Sequence, residues 1–375
     1  MSVGYPIGIE EEYFLAERDT KNAVSRMPKA LIRRARGALG EQVTPELLQS
    51  QIEIATPVCH SLDEARSHLR RYRRALRDAT AEFDLEVFAA GTHPMAEWNE
   101  QQPTDKPRYH KLADDLKFLA MRNMMCGLHV HVEITDPHVR IDVMNRILPF
   151  LPVLLALSTS SPFWRKHATG LMGYRLAAYD ELPRTGIPDF FVNLADYNSF
   201  IDTLVSSGVI EDASHVWWAI RPSLRFPTLE LRIADSCTHL EDTLCIAAIY
   251  RCLVRALRRL PDLNGIWRNH TRLLIEENRW RAQRYGTTEG LIDFNARRVV
   301  PFADIIEAML ALIAEDAEAL GCMTEVAHAR TILQRGTSAA QQVALYRRLR
   351  DEEGASRIEA LRGVVGWLAE TTAAA

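Results

Sequence analysis

Four short segments of the sequence place polar, potentially metal-binding side chains at every second position, and this pattern constrains the fold more than any other feature. The clearest is Leu128–Ile134, in which His129, His131 and Glu133 alternate with aliphatic residues. Successive side chains of a β-strand point to opposite faces of the sheet. The segment is therefore predicted to be a strand with one face in the core and the other forming a site.

The other three segments repeat the alternation with charged side chains. In each, the acidic or basic residues at every second position would share one face of a strand. These residues are Glu10 and Glu12 in residues 8–14, Glu53 in residues 48–56, and Glu230 and Arg232 in residues 228–235. Together, the four strands would gather carboxylates and imidazoles on one surface.

Helical patterns fill much of the remaining chain. Apolar residues recur at spacings of three and four in residues 62–83, and further helical patterns cover residues 139–157 and 301–320. Helices grouped in runs favour an α+β fold, in which helices lie behind an antiparallel sheet and its polar face stays open. We expect a single domain over residues 1–370 and a frayed tail at residues 371–375.

Charge and hydropathy narrow the possible partners. The formal net charge is −4 over 375 residues, which gives no electrostatic field for binding nucleic acid. Residues 1–9 lack the cationic and apolar regions of a secretory signal. The longest apolar stretch, residues 147–157, is shorter than the ~20 residues that cross a bilayer. The sequence predicts a cytoplasmic protein that binds small molecules, with neither nucleic acid nor membrane as a partner.

The acidic surface predicted from the strands requires cations. Clustered carboxylates repel one another and would take up protons unless divalent cations held their charges together. Oxygen ligands with only one or two imidazoles favour Mg²⁺ or Mn²⁺ over Zn²⁺. Arg232 and Arg221 add fork-shaped cations suited to phosphoryl oxygens or a substrate carboxylate. The pattern predicts a metal-nucleotide site, although no P-loop or Rossmann motif is present.

Two further clusters have simpler interpretations. The arginines of residues 70–77 lie on a predicted helix whose other face is apolar, so we predict a solvated basic face. Trp217 and Trp218 are more typical of core packing than of stacking on an adenine. Neither cluster is predicted to bind a ligand.

A series of ordered motifs covers nearly the whole chain, from about Tyr5 to the C-terminal helices. The motifs are Gly8-Ile9-Glu10-Glu11-Glu12, residues 46–57, Gly91-Thr92-His93-Pro94, Gly127-Leu128-His129-Val130-His131, Arg221-Pro222-Ser223, Thr228-Leu229-Glu230-Leu231-Arg232, Asn278-Arg279 and Arg284-Tyr285-Gly286. Together they resemble the carboxylate-amine ligases of the glutamate–cysteine ligase type 2 family. The resemblance implies a glutamine-synthetase-like fold, whose curved antiparallel sheet binds metal-ATP on its concave face.

The resemblance also implies two sets of metal ligands. One Mg²⁺ would be held by Glu10, Glu46 and Glu53, and the other by Glu12, His129 and Glu230. Glu46 lies an odd number of residues from Glu53, so strict alternation would place it on the opposite face unless the chain enters through a turn or bulge.

Four arginines complete the implied site. Arg232 resembles the arginine that meets the transferring phosphate, and Arg221 resembles one that anchors ligand anions. Arg175 and Arg284 are candidates for contacts with phosphate or substrate. With Glu230, the residues Arg232 and Arg221 form the predicted catalytic set.

By this resemblance, the expected activity is ATP-dependent amide formation, including weak glutamate–cysteine ligase activity. A carboxylate, the γ-carboxylate of glutamate in the family, would attack the γ-phosphate of ATP to give an acyl phosphate. An amine would then displace phosphate. Cysteine is the nominal amine of the family, but the sequence leaves the amine open, and relatives suggest a homodimer.

Two other classes of function remain open at this stage. A His-x-His-x-Glu strand also suits a metal-dependent hydrolase or a cupin-like oxygenase, which use imidazole-rich Zn or Fe centres. The third possibility is a non-catalytic sensor of a nucleotide or an amino acid.

Overall fold

A computed structural model describes residues 4–266 and 270–374. Residues 1–3, which belong to the stretch predicted to lack a signal, and residue 375 of the predicted tail lie outside the described residues. The strands are β1 (Ile7–Glu17), β2 (Val43–Pro45), β3 (Gln51–Ala55), β4 (Leu85–Phe88), β5 (Leu128–Glu133), β6 (Phe163–Trp164), β7 (His167–Ala168), β8 (Ile220–Pro222), β9 (Thr228–Leu231), β10 (Leu291–Asp293) and β11 (Arg298–Val300).

Helices make up most of the rest of the chain. They are α1 (Lys29–Leu39), α2 (Leu62–Ala81), α3 (Pro107–Leu116), α4 (Phe118–Met121), α5 (Pro137–Ile147), α6 (Leu151–Ser158), α7 (Tyr174–Tyr179), α8 (Leu194–Ser206), α9 (Leu240–Arg259), α10 (Thr271–Tyr285), α11 (Phe302–Leu312), α12 (Ala314–Ala319), α13 (Met323–Arg335), α14 (Ser338–Arg347) and α15 (Arg357–Ala373).

Within the described residues, the main sheet has seven strands in the order β2-β3-β1-β5-β9-β8, with β4 paired to the second half of β1. Every pair in this sheet is antiparallel. The aliphatic face of each strand is buried, as Ile9, Val130 and Leu231 illustrate. Helices α9 and α5 pack behind β5 and β9. The predicted α+β fold, an antiparallel sheet backed by helices, is confirmed.

The helical patterns are confirmed with adjusted ends. Helix α2 begins after Ser61, whose Oγ accepts a hydrogen bond from the backbone N–H of Glu64 at 3.1 Å, a typical N-cap. The pattern in residues 139–157 corresponds to α5 and α6, which a short 3₁₀ turn connects. The pattern in residues 301–320 divides into α11 and α12.

One stretch of the described chain, Pro137–Ser158, is long and apolar enough to match a membrane span by length and composition. It consists of α5, a 3₁₀ turn and α6, and 83% of its most apolar part is buried inside the protein. We assign it to the core of this fold.

Two expectations about the surface are wrong. The tail is not frayed at Thr371–Ala373, because α15 continues to Ala373. The side chain of Thr372 is buried, and its Oγ1 accepts a hydrogen bond from Ala89 N at 3.1 Å, which anchors the last turn. In the basic run of α2, Arg73 faces inward instead of lying on a solvated face. Its guanidinium pairs with Glu11 on the core side of β1, at 3.1 Å from Nε to Oε2.

Candidate active site

A cavity of about 460 Å³ lies over the polar face of the main sheet. Its lining includes residues from β1, β3, β5, β8 and β9, from α3 and α7, and from the connections that follow β2 and β8. The predicted site residues that line it are Glu10, Glu12, Glu46, Glu53, His129, Arg175, Arg221, Glu230 and Arg232. The fold therefore brings together residues from five distant parts of the sequence.

Strand register sets which side chains are neighbours. Glu12 on β1 lies directly opposite Glu53 on β3. Glu10 on β1 lies opposite His129 on β5, and its Oε2 is 3.3 Å from His129 Nδ1. The carboxylates of β1 thus face a carboxylate on one side and an imidazole on the other.

Glu46 reaches the same cavity from outside the strand. It follows the last residue of β2 and begins the turn into β3, with its backbone N–H bonded to Gln51 O at 3.3 Å. This turn interrupts strict alternation, which resolves the odd spacing between Glu46 and Glu53. The family resemblance, and not the spacing of residues in the sequence, predicted that Glu46 belongs to the site.

Two groups of side chains can each surround a metal ion. Ligand atoms of Glu10, His129 and Glu230 lie within 4.8 Å of one another, and so do those of Glu12, Glu53 and His129. These groups differ from the two sets that the resemblance implied, because Glu230 groups with Glu10, Glu53 groups with Glu12, and Glu46 belongs to neither group. The register accounts for part of this difference, since it places Glu10 opposite His129 and Glu12 opposite Glu53. All of the donors except His129 are carboxylates, which suits a hard divalent cation such as Mg²⁺.

The acidic end of the cavity carries more negative charge than the protein alone balances. Burial and the charge of Glu46 raise the pKa of Glu12 to about 7. Burial also raises the pKa of Glu46, and burial together with the neighbouring carboxylates raises the pKa of Glu53 well above its usual range. With a pKa of about 7, Glu12 is partly protonated near neutral pH when no cation is bound, so a divalent ion would replace this proton when it binds.

Glu10 and His129, which are opposite each other on β1 and β5, have lowered pKa values instead. Burial acts to raise the pKa of Glu10, but hydrogen bonds with His129 and His131 hold it well below its usual range. Burial and the charge of Arg232 lower the pKa of His129 to about 4. Its imidazole is therefore neutral at physiological pH, the form that binds metals.

On β9, Glu230 lies between two arginines of the cavity. Arg221 Nε donates to Glu230 Oε2 at 2.8 Å, and Arg232 Nη1 donates to Oε1 of the same carboxylate. Burial opposes the shift, but these two charges hold the pKa of Glu230 well below its usual range. Arg232 Nη2 also donates to the hydroxyl of Tyr179 at 3.3 Å. Two guanidinium groups are thus fixed beside the candidate metal ligands.

The other two arginines lie in different surroundings. Arg175 lines the cavity and is 3% exposed. Arg284 does not line it: its side chain is on the surface, where Nη1 donates to Gly170 O. The structure therefore does not place Arg284 with the other site residues.

Several cavity residues were not predicted as site residues. Lys106 and Tyr109 reach the cavity from α3 and the residue before it, and both donate to the backbone carbonyl of Pro45, at 3.0 and 3.3 Å. No spacing signal connects this helix with the strands. Trp217 lines the cavity whereas Trp218 is buried, so the core prediction is confirmed only for Trp218.

Comparison with known proteins places this site in a family. The profile of the glutamate–cysteine ligase family 2 matches residues 6–361. The chain belongs to this family. A protein of Rhodospirillum rubrum, provisionally named glutamate–cysteine ligase 2, is 52% identical over 374 residues, which span 99% of this chain and 96% of that protein. A protein of the same name from Bradyrhizobium diazoefficiens is 46% identical over 98% of this chain and 84% of its own length.

Solved structures show that the fold of this glutamate–cysteine ligase family 2 protein occurs in other ligases. A glutamate–cysteine ligase of Francisella tularensis, in complex with AMP, matches with a TM-score of 0.72 at 12% identity and covers 99% of this chain and 89% of that chain. A bifunctional glutathione synthetase of Pasteurella multocida has a TM-score of 0.67 at 14% identity, over 98% of this chain and 52% of that chain. The prediction of a ligase family and its fold is confirmed.

The raised pKa of Glu12 leads to a prediction for this family member. Its pKa is about 7 in the folded chain, against 4.5 for an unperturbed glutamate side chain. The stability contributed by a raised carboxylate pKa is present below 4.5 and is lost as pH rises through 7. We expect Mg²⁺ to relieve this loss, so it should raise the unfolding temperature more at pH 8 than at pH 6. Differential scanning calorimetry with and without Mg²⁺ measures the two shifts.

The matched control for this prediction is Glu12→Gln. The amide has no proton to lose and gains no charge as pH rises, so the difference between the two pH values should shrink in this variant. Equal shifts at pH 6 and pH 8 in the wild-type chain would contradict the assignment of Glu12 as a group whose proton the cation replaces.

Proposed function

We propose that this protein is an ATP-dependent carboxylate-amine ligase that joins the γ-carboxylate of glutamate to an amine through an acyl phosphate. The observation that carries the proposal is the placement of an acidic cluster beside Arg221, Arg232 and Arg175 in one cavity on an antiparallel sheet. Such a surface suits a triphosphate held between divalent cations and fixed guanidinium groups. The names of the relatives supply glutamate as the carboxylate and cysteine as the first amine to test.

The bonds of the proposed reaction change in two steps. In the first, an oxygen of the γ-carboxylate attacks the γ-phosphorus of ATP, and the bond from that phosphorus to the β–γ bridging oxygen breaks, so ADP leaves. In the second, the amine nitrogen attacks the acyl carbon, loses a proton to solvent, and the carbon–oxygen bond to phosphate breaks. The products are an amide, ADP and inorganic phosphate.

The residues of this chain act by holding and orienting the reactants. Glu10, Glu12, Glu53, His129 and Glu230 would hold Mg²⁺ or Mn²⁺, with Glu46 beside them. Bound Mg²⁺ would neutralise phosphoryl oxygens and fix their orientation. Arg232 and Arg221 add fixed positive charge where the transferring phosphoryl group develops negative charge. No nucleophilic side chain is needed, since the substrate carboxylate is itself the nucleophile.

The composition of the cavity argues against the imidazole-rich alternatives. His129 and His131 are accompanied by the carboxylates of Glu10, Glu12, Glu46, Glu53 and Glu230. Zn and Fe centres of hydrolases and cupin-like oxygenases use a larger share of nitrogen ligands. An oxygen-rich cavity with arginines fits phosphoryl transfer better.

The test is ADP release by the purified protein, with glutamate and a panel of amines that includes cysteine. We expect ADP and phosphate to form only when carboxylate, amine, ATP and Mg²⁺ are all present, and the amide product to be identified by mass. A chain that ATP stabilises against unfolding but that forms no ADP with any pair would be a sensor. Stoichiometric bound Zn or Fe without stabilisation by nucleotide would support the hydrolase or oxygenase. The cytoplasmic location and the homodimer stay predictions.

A further inference from the structure

Asp235 is a fully buried carboxylate that has no role in the proposed reaction so far. It lies in the segment after β9 and forms an isolated antiparallel β-bridge with Gly127, just ahead of β5. Its Oδ2 accepts hydrogen bonds from Ser160 N at 3.0 Å and from Ser161 Oγ at 2.6 Å. Its Oδ1 has no hydrogen-bond partner among the described residues and lies 3.9 Å from Arg175 Nη1. A buried charge is costly unless a nearby opposite charge compensates it, so this carboxylate is paired with Arg175.

Arg175 depends on Asp235 for its charge balance. Its guanidinium donates only to neutral backbone carbonyls in the described chain, those of Arg232, Ile233 and Ala234, at 3.1 to 3.4 Å. Asp235 is the carboxylate within 4 Å of it among the described residues. Arg175 lines the same cavity as Glu12, and its charge opposes the rise in the pKa of that carboxyl. The guanidinium is thus part of the cavity lining and pairs with a buried carboxylate that does not line the cavity.

Asp235 also fixes the backbone that carries this arginine. Ser161 Oγ donates to Asp235 and accepts a hydrogen bond from Arg175 N at 3.0 Å. Arg175 is the second residue of α7. One carboxylate thus holds both the main chain of Arg175, through Ser161, and its guanidinium, through charge.

Two glycines provide the space that this arrangement needs. A methyl group at Gly91 would lie 2.5 Å from Asp235 Cγ, and one at Gly127 would lie 3.0 Å from Arg175 Cζ. Neither contact is possible without displacing the pair. Both glycines belong to ordered motifs of the sequence, Gly91-Thr92-His93-Pro94 and Gly127-Leu128-His129-Val130-His131.

We propose that Asp235 is a positioning residue that fixes the Arg175 guanidinium at the cavity wall, where it binds an oxyanion of a substrate. The oxyanion is a phosphate of ATP or the carboxylate of the amino acid, and the inference rests on the proposed ligase function. Without Asp235, Arg175 keeps its carbonyl contacts but loses its counter-charge and its backbone support. A displacement of about 1 Å in a binding group is enough to lower the rate about 100-fold.

A double-mutant cycle tests this directly. We expect Asp235→Asn to lower kcat/KM by about 10- to 100-fold in the wild-type background. In an Arg175→Ala background the same substitution should change kcat/KM by less than about twofold, because Asp235 acts through Arg175. Separate KM values for ATP and for glutamate identify the source of the oxyanion, since only one of them should rise strongly. Equal losses in both backgrounds, or no loss in either, would overturn the proposal.

Asp316→Asn is the matched control for loss of a buried carboxylate. Asp316 is also fully buried and pairs with Arg255 and Arg259, away from the cavity. Asp316→Asn should lower the unfolding temperature and leave kcat/KM nearly unchanged.

If Asp235→Asn fails to fold, Ser161→Ala provides the second variant, because it removes the link between Asp235 and Arg175 N but keeps the charge of Asp235. Ser161→Ala should also lower kcat/KM, but by a smaller factor than Asp235→Asn. Unchanged kinetics in Ser161→Ala would count against the proposal.

The outcomes separate this inference from the proposed function. A wild-type chain that forms no ADP with any carboxylate and amine overturns the ligase proposal. An active wild-type chain in which Asp235→Asn behaves normally overturns only the role of Asp235. Stabilisation of each variant by MgATP, measured by thermal unfolding, gives a binding readout that does not depend on turnover.

Discussion

Replacing Glu230 with glutamine should lower ADP formation by about 100- to 1,000-fold, the range found when one preorganised charged or polar group is removed from an active site. The carboxylate of Glu230 holds Arg221 and Arg232 in place and belongs to one of the two possible metal groups. The amide keeps the size of the side chain but has no negative charge for the two guanidinium groups or for a cation. Steady-state ADP release at saturating substrate measures the effect.

The sheet offers a matched control for this variant. Glu133 lies two positions beyond His131 on β5, on the same face of the sheet, but does not line the cavity. Glu133→Gln removes the same charge from the same face and should keep turnover within about twofold. Thermal unfolding of both variants shows whether each remains folded, since loss of a partner from a buried ion pair is destabilising. Near wild-type turnover in a folded Glu230→Gln variant would exclude Glu230 from the metal and phosphate site.

The period of two in the sequence predicted much of this site because alternation decides which face of a strand a side chain occupies. Glu10, Glu12, His129 and Glu230 all project from the polar face, as expected. Alternation does not decide which strands are neighbours or how they are aligned. The groups formed by Glu10 with His129 and by Glu12 with Glu53 depend on long-range register, which no local pattern contains.

The interior provided the least predictable features. Glu11 lies on the core side of β1, where Arg73 and the hydroxyl of Thr243 satisfy its carboxylate. No local pattern pairs two charged residues 62 positions apart, so Arg73 was assigned to a solvated face. The same holds for Asp235 and Arg175, which pair because the fold brings the segment after β9 close to α7. From the sequence alone, charged residues are expected at the surface, so a buried ion pair is recognised only when the tertiary contacts are known.

The motif resemblance alone suggested both Glu46 and Arg284, with different outcomes. Strict alternation would place Glu46 on the opposite face, but Glu46 lies in a turn, where alternation does not apply. Arg284 was also suggested by resemblance alone, yet its side chain lies on the surface and contacts Gly170. A residue supported by both arguments is therefore a stronger candidate than one supported by either alone, and Arg232 is one of these.

Replacing Arg232 with lysine should reduce kcat/KM for ATP by about 100-fold or more, although the positive charge is kept. The guanidinium contacts Glu230 and the Tyr179 hydroxyl with different nitrogens, and its Nε has no hydrogen-bond partner among the described residues. A lysine ammonium carries its three donors on a single nitrogen, so it cannot reproduce the separate contacts with Glu230 and Tyr179 and also offer a planar fork to a phosphoryl oxygen.

Arg255→Lys is the matched control, because Arg255 also pairs with a buried carboxylate, that of Asp316, but lies away from the cavity. If charge alone were needed at these positions, both lysine variants would keep wild-type kinetics. If the fork of the guanidinium is what binds the phosphoryl group, only Arg232→Lys should lose activity, and its unfolding temperature should fall no further than that of Arg255→Lys. Near-normal kcat/KM for ATP in Arg232→Lys would place the phosphate contact on another residue. The other guanidinium groups that line the cavity are those of Arg108, Arg175, Arg221 and Arg225.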